Sequence, residues 1–397
     1  MKWAPIIPLV GGFPIGAEQA LNTKPEVVLS YSAFDLNDSF YMYYQNTIKN
    51  QNLKRVKLEE EKYDMSQLDL VVATCPCAGL SALSRGTAEV KDTVNEWLFR
   101  TTEEVLSSGV KVLTGENAPN LYSNAGTKVA KRLKELAEKY DYSLTLYQTN
   151  SRFHGIPQNR KRTFYIFWKQ DETPILEWCR KDRLNIKEYL GEVNNNLWGG
   201  DRVCGNSLEQ DPYFRMLTDK YGSQEAAYTK ITEHGSRSAL YYVVQKNLMN
   251  EINEWAQSKG SERDKEIIAH FKKKKDQDKG VWDGSVKCFG DVCPAIIVRN
   301  IANGMHPTEF RPFTFREILH LMSFPDDFEM PNDISDRRFN KMLAQNVPVK
   351  TGQFIIEQIK LAVDKKLFTT PSRYVKQNNN NKTFTEEETT SLQEFLT

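Results

Sequence analysis

The stretch Asp69-Leu70-Val71-Val72-Ala73-Thr74-Cys75-Pro76-Cys77-Ala78-Gly79-Leu80-Ser81 runs an apolar segment straight into a cysteine-bearing turn. Leu70 to Ala73 carry two adjacent β-branched valines with no polar alternation, the pattern of a strand buried on both faces in a parallel sheet. Reactive side chains of open α/β sheets sit at the carboxyl ends of such strands. Pro76 fixes its own φ and pushes Cys75 towards extended geometry, so the backbone that presents Cys77 is stiffened before any ligand arrives. An isolated cysteine is more often a small buried hydrophobe. A reactive role for Cys77 therefore depends on what else reaches the same edge.

Working outward, Lys111 to Thr114 read as another short strand that delivers Glu116 and Asn117 at its carboxyl end. His154-Gly155-Ile156-Pro157 turns the chain into Gln158-Asn159-Arg160-Lys161-Arg162, and Thr163 to Trp168 continue as a strand of β-branched and aromatic residues. Alternate residues of an extended segment share a face, which points Gln158, Arg160 and Arg162 one way. Arginines so placed make a fork for carboxylate, phosphate or base oxygens, although a basic strand end is more often a solvated edge. At the N-terminus, Trp3 to Val10 read as a first strand leading into Gly11-Gly12-Phe13-Pro14-Ile15-Gly16, with a helix from near Ala17. Glycine turns of this kind let a ligand approach the backbone and the helix N–H groups. Pro5 and Pro8 remove donors from what should be a central strand. Val90, Val94, Trp97, Leu98, Val105 and Leu106 fall at helical spacing, as do Val129, Leu133, Leu136 and Tyr140, and both stripes read as core.

The chain of 397 residues suggests two domains, and 53 Lys plus Arg against 52 Asp plus Glu argue against indiscriminate coating of nucleic acid. No apolar run long enough to span a membrane and no export signal is seen, so a cytoplasmic protein is expected. Six cysteines in a chain of this size do not read as a secreted disulfide framework. Cys288 and Cys293 are close, but no second pair with ligand spacing follows, and no metal is expected. Periodicity lapses from about residue 170 to 310, which reads as a second domain containing the basic run Lys272 to Lys275. The strand and helix pattern then resumes. Thr314 and Glu317 have capping-box spacing, Gln345-Asn346-Val347-Pro348 precedes a last helix over Gly352 to Val363, and the Asn-rich tail from about Ser372 is expected to be disordered.

Five blocks, Pro76-Cys77-Ala78-Gly79-Leu80-Ser81, Glu116-Asn117-Ala118-Pro119, Gln158 to Arg162, Arg316 to Asp326 and Gln345 to Pro348, occur in an order and at separations that resemble the DNA (cytosine-5) methyltransferase family. The resemblance implies an α/β fold, a Rossmann-like S-adenosylmethionine-dependent methyltransferase sheet over 1–169 and 311–369, with a smaller target-recognition domain inserted at 170–310 and a tail at 370–397. It implies Cys77 as a nucleophile, with Glu116, Asn117, Arg160 and Arg162 as its catalytic companions. S-adenosylmethionine would lie against Gly11, Gly12, Phe13, Gly16, Asp35, Pro76 and Asn346. Double-stranded DNA would meet Ser81, Arg85, Gln158, Lys272 and Lys273. A monomer is expected, associated with the nucleoid through DNA, and a restriction endonuclease partner is compatible with the resemblance. Three departures stand out. Leu9 replaces a glycine, Ser32-Ala33-Phe34-Asp35 lacks the usual acidic residue at the end of the second strand, and Gln345 replaces a glycine. Alternatives are a transfer-RNA cytosine methyltransferase, a DNA-binding relic without donor activity, and an unusual sulfonium donor, towards which Lys350 is a hint.

Overall fold

A computed structural model of the chain describes residues 1–34, 53–75, 80, 92–181, 185–205, 210–276, 285–330 and 332–379. Its strands are β1 (Trp3–Ile6), β2 (Val28–Ser30), β3 (Arg55–Lys57), β4 (Leu70–Ala73), β5 (Val112–Asn117), β6 (Ser143–Asn150), β7 (Gln158–Asn159), β8 (Lys161–Trp168), β9 (Thr173–Pro174), β10 (Cys293–Pro294), β11 (Thr369–Thr370) and β12 (Tyr374–Asn378). The helices are α1 (Gly12–Leu21), α2 (Asp92–Ser107), α3 (Thr127–Tyr140), α4 (Ile186–Gly191), α5 (Pro212–Tyr221), α6 (Gln224–Glu233), α7 (Ala239–Gln245), α8 (Met249–Ser258), α9 (Glu262–Asp276), α10 (Val298–Asn303), α11 (Phe315–Leu321), α12 (Asp336–Ala344) and α13 (Val349–Val363).

Eight strands form one sheet in the order β12-β6-β8-β5-β4-β1-β2-β3. β8 runs antiparallel to β5 and β6, and the other neighbours pair parallel. Leu70 and Val72 join Trp3, Val112, Phe164 and Ile166 in a core against α1 and α13. Val71 and Ala73 face the opposite way, with Leu113, into the core built on α2 and α3. Both faces of β4 are covered, which is why its sequence does not alternate. The chain leaves β1 towards β2 and β3, then returns to the other side of β1 as β4. That reversal places the ligand crevice of an open α/β sheet at the carboxyl ends of β1 and β4.

Pro5 is tolerated in central β1 because its missing donor affects one neighbour only. Carbonyls of Lys2 and Ile6 accept from the β4 side, whereas Trp3 and Ile7 hydrogen-bond to Glu26 and Leu29 beside β2, so Pro5 faces β2. After β1 the backbone turns through left-handed Ile7 (φ 53°), Leu9 (φ 52°) and Gly11 (φ 107°). α1 then begins at Gly12, earlier than expected, and crosses α13 at backbone contact. A Cβ on Gly12 would sit 2.0 Å from the Val347 carbonyl oxygen, and one on Gly16 would sit 2.5 Å from the Gln353 nitrogen.

The inserted region is narrower than 170–310 in packing. Helices α5 to α9 enclose their own core of Phe214, Leu217, Ile231, Val243, Ile252 and Ile268. Ile186, Tyr189, Cys204, Phe289, Cys293 and Ile296 instead share a core with Phe313, Leu319, Phe339 and Leu343. β9 pairs antiparallel with β11, which keeps the start of that region on the sheet domain.

The expected disorder of the 370–397 tail is corrected at its beginning. β12 pairs parallel with β6 as an edge strand. Its polar side chains are satisfied by backbone: Gln377 accepts from the Leu176 N–H at 3.0 Å, and Asn379 bonds both the N–H and the carbonyl of Cys179. A polar strand is stable where each buried amide finds such partners. Residues 380–397 lie outside the described residues. Among the described residues no helix is long and apolar enough to cross a membrane.

Candidate active site

β4 and β5 run parallel with Ala73 opposite Gly115, so Thr74, just past β4, and Glu116, next to last in β5, come level at one edge. Cys75 is buried, and the Tyr165 hydroxyl donates to its Sγ at 3.9 Å. Gly115 makes room for that ring, since a Cβ there would lie 2.1 Å from the Tyr165 oxygen. Cys75 therefore belongs to the core. Cys77 and Pro76, together with Asp35, Ser81 and Arg85, lie outside the described residues.

Glu116 ends β5 with only 3% of its surface exposed. Burial pushes its carboxyl up from the ordinary value, while the Arg162 and Arg160 guanidiniums pull it back less strongly. Arg162 Nε approaches Glu116 Oε1 at 2.5 Å without the in-line geometry of a hydrogen bond. Asn117, fully buried, accepts from the Ala118 N–H at 2.8 Å, and its Nδ2 has no hydrogen-bond partner among the described residues. Thr74 Oγ1 is likewise buried without such a partner at the end of β4. Unsatisfied buried polar groups are costly, and these lie at the carboxyl ends of two adjacent strands. A carboxyl biased towards its neutral form can protonate or hydrogen-bond a ring nitrogen, an amide can fix an exocyclic amine, and a guanidinium can neutralise a carbonyl oxygen.

Two residues expected to face substrate do not. Gln158 and Arg160 share a face as alternation requires, but the face is interior. Gln158 Nε2 donates to the Leu321 carbonyl at 2.8 Å and its Oε1 accepts from the Ile296 N–H at 3.1 Å. Arg160, 1% exposed, donates to the carbonyls of Ile296 (2.7 Å), Ala344 (2.8 Å) and Asn346 (2.7 Å). Both side chains hold backbone. The register of β8 brings Arg162 into direct contact with Glu116.

The described residues expected around the donor are engaged with the protein itself. Gly12 and Gly16 make room for the chain between Val347 and Gln353, and Phe13 packs edge-to-face on Phe164 with ring centroids 5.4 Å apart. Asn346, buried, accepts from the Gly12 N–H at 3.0 Å and so satisfies a free donor at the start of α1. Gly11 alone of this group lies in the left-handed turn at the β1 carboxyl end. Leu9 adopts there the left-handed conformation that a glycine would take without strain. Sequence reasoning missed Glu59. Following β3, its carboxylate accepts from the Ser32 N–H at 3.1 and 3.3 Å and brings an acidic group to the end of β2. The run Glu59-Glu60-Glu61, one residue after Arg55-Val56-Lys57, was the available signal. Lys272 and Lys273 are exposed on α9.

The C-5 cytosine-specific DNA methylase family model matches residues 5–361. The chain is 22% identical over 322 residues to the type II methyltransferase M.DdeI of Desulfomicrobium norvegicum, covering 75% of this chain and 74% of that protein. It is 21% identical over 329 residues to the type II methyltransferase M.NgoPII of Neisseria gonorrhoeae, covering 78% and 81%. Among solved structures, the Entamoeba histolytica methyltransferase EhMeth superposes with a TM-score of 0.55 at 12% identity, covering 92% of this chain and 98% of that one, a likeness of fold. With a family match that runs from β1 into α13 and encloses the β4 and β5 edge, the chain belongs to the C-5 cytosine-specific DNA methylase family.

Proposed function

We propose that this family member transfers a methyl group from S-adenosylmethionine to C5 of a cytosine rotated out of duplex DNA, through a transient bond to Cys77. The observation that carries the reading is Glu116, a buried carboxyl biased towards its neutral form and set against Arg162 on the edge towards which β4 leads. C5 of cytosine is too weak a nucleophile to take a methyl group unaided. The Cys77 thiolate adds to C6, and the ring π electrons move towards C5. Glu116 protonates N3 and so stabilises the charge created by that addition. Arg162 neutralises O2, and Asn117 fixes either the glutamate or, through the second lone pair of its Oδ1, the exocyclic amine. When bound, the sulfonium donor supplies the methyl group that C5 captures. Loss of the C5 proton then re-forms the C5–C6 double bond and expels Cys77. Unstacking the base costs about a few kcal/mol, offset by contacts in the pocket.

The switch-point edge fits such a donor. The backbone turns through three left-handed residues at the end of β1, Thr74 Oγ1 waits without a partner among the described residues, and Glu59 offers a carboxylate for ribose hydroxyls. The α5 to α9 lobe is the candidate recognition unit, with Lys272 and Lys273 on phosphate, and the chain acts as a monomer.

Incubation of the purified chain with labelled S-adenosylmethionine and either duplex DNA or transfer RNA tests the proposal. Incorporation at C5 of cytosine in DNA is expected, and methyl sequencing of DNA from expressing cells then maps the site. Labelling of RNA alone would replace DNA as the substrate, and labelling of neither would leave a DNA-binding relic.

A further inference from the structure

Arg160 sits where three parts of the chain meet. β10 pairs with β7 through Cys293 opposite Gln158 and Pro294 opposite Asn159. Two residues further on, Ile296 is held from both sides, its N–H by Gln158 and its carbonyl by Arg160. This segment is the return from the α5 to α9 lobe, and it leads into α10 with Val298 exposed. On the opposite side, Arg160 Nη2 holds the carbonyls of Ala344 and Asn346, and the Asn346 side chain in turn accepts from the Gly12 N–H just after the β1 turn. The guanidinium is a rigid planar fork, so the carbonyls it grips cannot move independently.

We propose that Arg160 is a positioning residue that couples the DNA side of the site to the donor pocket, by fixing the Ile296 segment and the Ala344–Asn346 segment to one another. The inference rests on the methyltransferase reading above. Two residues later, at the start of β8, the chain presents Arg162 to Glu116, so a shift of either segment reaches the base site as well. A ligand that orders one segment then lowers the cost of ordering the other. The coupling factor must be the same in both directions.

Titration calorimetry of the full chain with S-adenosylhomocysteine, with and without a synthetic duplex carrying a mapped site, measures that factor. For the wild type we expect the duplex to tighten the nucleoside about ten-fold, within the usual range of coupling factors. Arg160→Lys keeps the charge but lacks the planar fork. It should bring the factor to about one while changing the affinity for each ligand alone by less than about three-fold. An unchanged factor in Arg160→Lys overturns the proposal. Hydrogen exchange on the wild type decides the matter even if that variant does not fold. S-adenosylhomocysteine alone should slow exchange of the Ile296 amide several-fold, whereas slowing confined to residues 7–12 and 346–352 overturns the proposal. A wild type that binds both ligands without coupling overturns this inference alone. One that binds neither ligand overturns the methyltransferase reading with it.

Discussion

Glu116 is a carboxyl that its surroundings hold in the form the chemistry needs. Its folded pKa lies above its ordinary value of 4.5 because burial outweighs the attraction of Arg162 and Arg160. A raised carboxyl pKa contributes stability that is present below the ordinary value and is lost as pH rises through the folded one. The chemical step should fall over the same upper window, as the proton needed at N3 is lost. Glu116→Gln should slow that step by about 10²–10⁴-fold and abolish this alkaline limb, while DNA affinity changes little. Single-turnover rates across pH check both outcomes, and equal losses in rate and DNA affinity would make Glu116 structural. Cys75→Ala should retain turnover and cost about 1–2 kcal/mol, since the thiol packs in the core under Tyr165. A thermal melt beside a methylation assay reads both. Glu116 and Arg162 were legible in the sequence because each ends or begins a strand at the crevice edge. Gln158 and Arg160 were misread because alternation gives a shared face and does not say what packs on it. Asn346 was misread for a related reason, as its partner Gly12 lies 334 residues away in the chain.

At the scale of elements, the α1 to α13 crossing and the β12 strap carry the predictions. Gly16→Ala would put a Cβ 2.5 Å from the Gln353 nitrogen, so it should destabilise by about 1–3 kcal/mol through overpacking. Gly191→Ala, at the end of α4 with nothing within 4 Å, should be neutral or stabilise by about 0.4–1 kcal/mol. Urea denaturation of the two variants distinguishes a packing role from a general intolerance of glycine loss. Asn379→Ala removes hydrogen bonds to the Cys179 N–H and carbonyl and to Thr149, and should cost about 1–3 kcal/mol. An unchanged melting temperature would mean that β12 is not a brace. The parallel strands, the capping box at Thr314 and Glu317 and the last helix were legible, because periodicity and caps are local signals. β12 was not. Its Asn and Gln content reads as solvated, and only the backbone of 176–179, some 200 residues away, makes burial of those amides favourable.

Across the whole molecule, an open α/β sheet sets its reversal point between β1 and β4, and the chemistry follows from which strands end there. The shared edge of β4 and β5 could be anticipated from the cysteine-bearing turn and the Glu116 block; the order of the strands was not read from the sequence. The division of the inserted region could not, because residues 186–204 and 289–301 complete a core with 313–349 that has no local signature. The central claim is that this edge methylates cytosine through Cys77. A duplex carrying 5-fluorocytosine at the mapped site tests it most directly. After addition at C6 and methylation at C5 no proton remains on C5 to be lost, so the covalent bond to the protein persists. Mass spectrometry of the full chain with this duplex and S-adenosylmethionine should show one protein joined to one methylated DNA strand, with the link on the peptide containing Cys77 and absent in Cys77→Ser. Methylation of ordinary duplex by the same preparation with no trapped adduct, or a trapped adduct in Cys77→Ser, would contradict the account.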